Sequence, residues 1–268
     1  MDYEVEYNNR ARVPENPVLI AGWARDAGAY RERQIPRSMS YGSGARHRID
    51  FFPGDHSGPI VVFIHGGYWQ ALDGSFFSHL AAGLNAHGID VAVPSYDLCP
   101  AVTINEIIAQ MRAATRELAR LGRPLVISGH SAGGHLAACM LATDWRAFDA
   151  ELPEHPVIAA YTISGLFDLV PLVETSVNKA TRLDQAAARA ASPLFWTAPR
   201  HGSLDAVVGG NESAEYFRQS RAIVERWGAA GLATSFGTVA GANHFTAIAP
   251  LADPDSPMVL RLSQLAGR

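Results

Sequence analysis

Ser131, His244 and Glu212 are the residues whose types and placement could together carry out acyl transfer. Ser131 lies in Gly129-His130-Ser131-Ala132-Gly133, a G-x-S-x-G pattern. In a chain with 24 glycines that pattern alone is weak, and its context gives it weight. It follows the apolar run 124–128 and opens a helical pattern over 132–143, so the serine falls on a strand–turn–helix elbow that lifts its hydroxyl clear of a sheet. Glycines at 129 and 133 keep side chains away from the neighbouring strand and helix. A serine hydroxyl attacks poorly until a base removes its proton. Of ten histidines, His244 suits that role best. It lies in the loop Gly241-Ala242-Asn243-His244-Phe245, after the strand pattern 233–239 and C-terminal to every candidate acid. His130 and His135 read as facing away from the hydroxyl.

A third group must orient the imidazole and stabilise its cation. Glu212 follows Val207-Val208-Gly209-Gly210-Asn211, at the carboxyl end of a strand, where open α/β sheets place their sites. Asp205 opens the same strand and should lie at the opposite edge, and Asp168, after another strand, is a further substitute. A glutamate there could also serve only the dipole of the helix that follows. Donors for a developing oxyanion are expected from the backbone N–H groups of Gly66, Gly67 and Tyr68, in the glycine turn Ile64-His65-Gly66-Gly67-Tyr68-Trp69, and of Ala132. No metal or other cofactor is expected. The chain has no H-E-x-x-H, and no Walker lysine or G-x-G-x-x-G follows the glycine turn.

The elements that must position these groups alternate along the chain. Strand patterns over 49–52, 59–64, 89–93, 124–128, 157–164, 204–209 and 233–239 are separated by helical patterns over 75–87, 104–121, 132–143 and 213–230. Thr103-Ile104-Asn105-Glu106 has capping-box spacing. Strands alternating with helices of this length predict βαβ units, hence an α/β fold: one mostly parallel, doubly wound sheet with helices on both faces. The 268 residues are read as a single domain, 1–268. Residues 1–40 are expected to be an irregular segment with one helix near 18–30, and 166–203 breaks the alternation as a lid or binding insert, or as helices covering a sheet edge.

Composition narrows the function classes. The net charge is −4, the arginines are scattered and Lys179 is the single lysine, which argues against a nucleic-acid surface. Two cysteines are too few for a disulfide framework or a zinc site. The acidic start carries no secretory signal pattern, and no apolar stretch reaches the length of a membrane span. The expectation is a cytoplasmic protein acting on a small molecule, with a homodimer left open.

The motifs His65-Gly66-Gly67-Tyr68-Trp69, Gly129-His130-Ser131-Ala132-Gly133-Gly134-His135 and Asn243-His244-Phe245 together resemble those of the arylformamidases, or kynurenine formamidases. These are serine hydrolases of the α/β-hydrolase superfamily, near the hormone-sensitive-lipase-like esterases. The stretch from Gly209 to Ser220 is similar to that family's acid loop and following helix, and Tyr7-Asn8-Asn9-Arg10 fits as well, so the likeness spans nearly the whole chain. Two departures stand out: the acid is a glutamate where the superfamily more often has aspartate, and Tyr68 stands where related lipases have a third glycine. The resemblance implies hydrolysis of N-formylkynurenine to kynurenine and formate. A carboxylesterase for small aryl or acetyl esters would use the same triad, and a binding protein that has lost catalysis is a remoter reading. Because the acyl part is minimal, selectivity must come from the leaving group, and Tyr68, Trp69, Phe76 and Phe245 are the expected aromatic walls.

Overall fold

A computed structural model describes residues 1–55 and 57–267. Its centre is an eight-stranded sheet: β1 (Arg37–Ser40), β2 (Arg48–Phe52), β3 (Ile60–Ile64), β4 (Val91–Pro94), β5 (Leu125–His130), β6 (Val157–Ile163), β7 (Ser203–Gly209) and β8 (Ala233–Val239), in spatial order β1-β2-β4-β3-β5-β6-β7-β8. β2 runs antiparallel to both β1 and β4; every other neighbouring pair is parallel. The strands from β3 to β8 therefore release their following loops at one rim. The register aligns that rim, with Ile64 opposite Gly129, Gly129 opposite Thr162, and Ile163 opposite Val207.

Period-two alternation splits the apolar strand residues between two cores. Ile60, Val62, Ile64, Leu125 and Ile127 face one cluster, whereas Val61, Phe63 and Val126 face the other. A parallel strand covered on both faces reads as an unbroken apolar run for this reason. The Ala132–Leu141 helix, buried all along its length, packs on the first face. The Ile104–Ala119 helix joins it there, opened by the expected capping box: Thr103 Oγ1 accepts from Glu106 N at 3.2 Å, and Glu106 Oε2 accepts from Thr103 N at 2.7 Å.

Two expectations require correction. Residues 1–40 are ordered into α1 (Tyr3–Tyr7), α2 (Asn9–Arg12), α3 (Asn16–Arg33) and the edge strand β1. The expected helix over 75–87 is a 3₁₀ turn, Gly74–Leu80, continuing into an α-helix, Ala81–Ala86. The excursion 166–203 forms short helical segments, 3₁₀ at Val170–Glu174 and Pro193–Phe195 and α at Asn178–Thr181 and Gln185–Ala190. Leu166, Phe167, Leu169 and Leu172 root it fully buried in the first core.

Candidate active site

Ser131 sits at φ +56°, ψ −117°, a conformation that side-chain-bearing residues rarely adopt and that is often kept where a reacting group must be presented. The turn is closed on both sides: Ser131 N donates to Ile163 O at 2.8 Å, and His135 N donates to Ser131 O at 3.1 Å. The flanking glycines have no room for a side chain. A Cβ on Gly129 would collide with Gly133 O, and one on Gly133 with Ile64 O. The tight elbow thus locks β5, its helix and the end of β3 together.

The turn after β3 presses against the same serine. A Cβ on Gly66 would lie 2.9 Å from His130 O and 3.1 Å from Ser131 Cβ. Gly67, Tyr68 and Trp69 follow with φ of +106°, +51° and +57°, a run of left-handed residues pinned by Gln70 N to Gly67 O at 3.0 Å and Cys99 N to Trp69 O at 2.7 Å. Among the described residues, the N–H groups of Gly66, Gly67, Tyr68 and Ala132 have no protein acceptor and remain available to a ligand. His65 buttresses the turn from behind. It stacks on Tyr96 at 4.2 Å and 3°, and its Nδ1–H donates to Gly66 O at 2.7 Å. Complete burial pushes its pKa down to about 4, so it stays neutral.

His244 meets Glu212 across the loops after β8 and β7. Its Nδ1–H donates to Glu212 Oε2 at 2.7 Å, with the carboxylate fully buried and the imidazole nearly so. A carboxylate can only accept, which fixes the proton on Nδ1 and leaves the Nε2 lone pair free. The other oxygen, Oε1, accepts from Gly209 N at 2.7 Å and from Ser164 Oγ. Sequence reasoning misses Ser164, which reaches the acid from a left-handed turn (φ +53°) at the end of β6. The alternative acids are committed elsewhere: Asp205 binds Arg261 Nε at 2.6 Å and Ser235 Oγ at 2.8 Å from within β7, and Asp168 pairs with Arg218 at 3.5 Å.

His130 does not face away, contrary to expectation. Its ring lies 4.7 Å from that of His244, and its Nε2–H donates to His244 O at 2.9 Å. Burial, followed by the neighbouring His244, depresses its pKa well below the usual imidazole range. It therefore acts as a neutral strut that fixes the backbone of His244.

Ser131 and His244 share one cavity of about 330 Å³. Of the expected walls, Tyr68 and Phe245 line it and Trp69 and Phe76 do not. Trp69 points into the core, fully buried against the edge of His135 at 5.1 Å. Phe77 replaces Phe76 because the 3₁₀ turn rotates the next residue inward. Trp23, from α3, stacks on Phe245 at 5.9 Å and completes the aromatic lining.

The amino-terminal helices close the cavity through a directed hydrogen-bond chain. Asn9 Nδ2 donates to the Tyr216 hydroxyl at 2.7 Å, and the Tyr68 hydroxyl donates to Tyr7 O at 2.6 Å. The 2.7 Å contact between the two hydroxyls must then run from Tyr216 to Tyr68. Burial raises the pKa of both phenols, which keeps them protonated as donors. Tyr7 is fixed in turn: its hydroxyl donates to Glu215 Oε2 at 2.6 Å and accepts from Gln219 Nε2 at 2.8 Å.

An acid-oriented histidine beside a strained serine, at the carboxyl rim of a doubly wound sheet, is the layout of an α/β hydrolase. A family profile for the α/β hydrolase fold matches residues 61–247. A kynurenine formamidase from Danio rerio is 28% identical, the match covering 91% of this chain and 87% of the relative. One from Drosophila melanogaster is 30% identical over 81% of this chain and 77% of the relative. The chain belongs to the kynurenine formamidase family of α/β hydrolases, and it is a hydrolase. A crystal structure from Silicibacter sp. TM1040, bearing a provisional thioesterase name, superposes with TM-score 0.86 at 37% identity, over 98% of this chain and 99% of that one. An esterase from Pyrobaculum calidifontis, at 16% identity and TM-score 0.72 over 94% of this chain and 92% of that one, shares the fold. Among the described residues, no helix is long and apolar enough to cross a membrane.

Proposed function

We propose that this chain hydrolyses an aryl formamide, N-formylkynurenine, to kynurenine and formate through Ser131, His244 and Glu212. The observation that carries the reading is the His244–Glu212 hydrogen bond of 2.7 Å, formed where the imidazole shares a cavity with the elbow serine. His244 Nε2 takes the Ser131 hydroxyl proton as Oγ attacks the formyl carbon. The carbonyl oxygen becomes an oxyanion, received by N–H groups of Gly67, Tyr68 and Ala132, each worth about 2.7–4 kcal/mol of barrier in comparable sites. The imidazolium then protonates the departing arylamine nitrogen as the C–N bond breaks, leaving a formyl ester on Ser131. A water, deprotonated by His244, attacks that ester and releases formate, and the proton returns to Ser131 Oγ. The aromatic walls Trp23, Phe77 and Phe245 suit an aryl leaving group.

Esters and thioesters can use the same machinery, and the provisional thioesterase name of the Silicibacter structure makes the comparison direct. The test compares kcat/KM for N-formylkynurenine, p-nitrophenyl acetate and an acetyl thioester. A clear preference for the formamide supports the reading, and no preference sinks it. Ser131→Ala should lower kcat by about 10⁴-fold or more while the circular dichroism spectrum is retained. Residual turnover above about one per cent would remove Ser131 from the role.

A further inference from the structure

We propose that the Arg10 guanidinium receives a carboxylate carried on the leaving-group side of the substrate. The assignment rests on the formamidase reading and adds a substrate class to it: aryl formamides or esters whose leaving group ends in an anion. Arg10 lines the cavity that holds Ser131 and His244, and it is the one arginine or lysine among the described residues that do so; no aspartate or glutamate lines it. The carboxylates that hydrogen-bond lining residues are already occupied, Glu215 by the Tyr7 hydroxyl and Arg218. Glu4 accepts from Ser176 N, Ser176 Oγ and Asn8 Nδ2 at 2.7–2.9 Å, and Glu212 is held by His244, Ser164 and Gly209.

Arg10 itself is uncommitted. Among the described residues its guanidinium has no hydrogen-bond or ion-pair partner, whereas Arg31, Arg218 and Arg261 are each paired with a carboxylate. Its backbone, by contrast, is fixed. Arg10 O accepts from Asn16 Nδ2 at 3.1 Å, Asn8 Oδ1 caps the turn by accepting from Ala11 N at 3.1 Å, and the adjacent Asn9 is tied to Tyr216. An exposed, unpaired arginine on an anchored turn presents a planar fork of donors that matches a carboxylate bidentately. The carboxylate of an amino-acid tail needs a local cationic partner, which a chain of net charge −4 does not supply on average and which Arg10 supplies at the cavity. The cavity then has three functions in sequence: a hydroxyl and imidazole for the acyl carbon, aromatic walls for the ring, and a cation for the tail.

The test is a ratio rather than a single rate. N-formylkynurenine is compared with formanilide, and 4-acetoxybenzoate with phenyl acetate, in the wild type, Arg10→Ala and Arg10→Lys. The expected result is that Arg10→Ala lowers the charged-to-uncharged ratio of kcat/KM by about 10- to 100-fold, mainly through KM, and that Arg10→Lys recovers part of it. The wild-type ratio should also fall as salt is raised through the range that screens exposed charges. A ratio unmoved by Arg10→Ala, on whichever pair is hydrolysed, overturns the inference, as does a wild type that prefers the uncharged member of both pairs. A protein that hydrolyses the esters with the predicted ratio change but ignores both formamides overturns the formamidase reading and leaves the role of Arg10 standing.

Discussion

Ser164 and His244 divide the Glu212 carboxylate between them, one on each oxygen, and this division decides how firmly the imidazole is aimed. Removing the Ser164 hydroxyl leaves Gly209 N as the remaining donor on Oε1. Hydrogen bonds to charged groups contribute about 1.5–3 kcal/mol, and part of that loss should reach the transition state through a misaligned His244. Ser164→Ala is therefore expected to lower kcat by about tenfold with little change in KM, and Ser164→Thr, which keeps a hydroxyl, should recover more than Ser164→Val. Equal kinetics for the valine and threonine variants would show that the hydroxyl does not act on the acid. At this scale the sequence is informative where a residue type and a strand end coincide, as for Ser131, His244 and Glu212. It is silent on Ser164, whose reach depends on a left-handed turn that neither its type nor its neighbours announce. It misleads for His130, whose orientation is set by the backbone carbonyl of a residue 114 positions away.

Among the elements, the sheet is the most legible part, because strands covered on both faces must be continuously apolar and their helices must carry one apolar stripe. The amino-terminal segment is not. α1 and α2 are only five and four residues long, too short to form alone, and they persist because their polar groups dock onto the Ala214–Ala229 helix. Tyr7, Glu215 and Gln219 supply one anchor, and the Asn9–Tyr216–Tyr68 chain supplies the other. Trp69 and Phe76 fail as pocket walls for a related reason: a left-handed turn and a 3₁₀ turn send adjacent residues to faces that helix or strand periodicity does not predict. The docking is testable at Tyr68. Tyr68→Phe deletes the hydroxyl that donates to Tyr7 O and accepts from Tyr216, leaving both partners short of a bond inside the protein. The expected cost is about 1–3 kcal/mol, or a Tm lower by about 2–4 °C for each kcal/mol. KM should rise more than kcat falls, since the loosened helices carry Arg10 and the lining residues Tyr7 and Asn9. An unchanged Tm, measured by calorimetry, would show that the chain of hydroxyls does not hold the segment down.

For the molecule as a whole, three buried histidines tie the site to the global stability. His65 under the glycine turn, His130 beside the elbow and His135 in the elbow helix each donate one ring N–H to a backbone carbonyl, of Gly66, His244 and Ala191 respectively. The second nitrogen of His65 and of His135 is buried with no partner among the described residues, so protonation would place a charged N–H where nothing accepts it. Burial accordingly pulls both pKa values down to about 4, and that of His130 well below its usual range. The unfolded chain takes up these protons at the ordinary imidazole pKa of about 6.5, whereas the folded chain refuses them until about 4. The unfolded state thus binds more protons in that window, and folding stability rises with pH across it. The stabilisation from neutral burial is fully present above about pH 6.5 and is lost progressively as the pH falls toward 4. By about pH 5, His65 and His135 should each have cost about 2 kcal/mol, a sum approaching the whole stability of a marginal domain. Urea midpoints measured from about pH 7.5 down to 5 should fall steeply, and activity should disappear with the fold, because the same residues support the turn, the elbow and His244. In His135→Gln the midpoint at neutral pH will be lower, but its decline toward acid should be shallower by about one proton's worth. A midpoint that stays level over this range would mean that the buried imidazoles find an acceptor or water on protonation, and that the site is not coupled to folding through them.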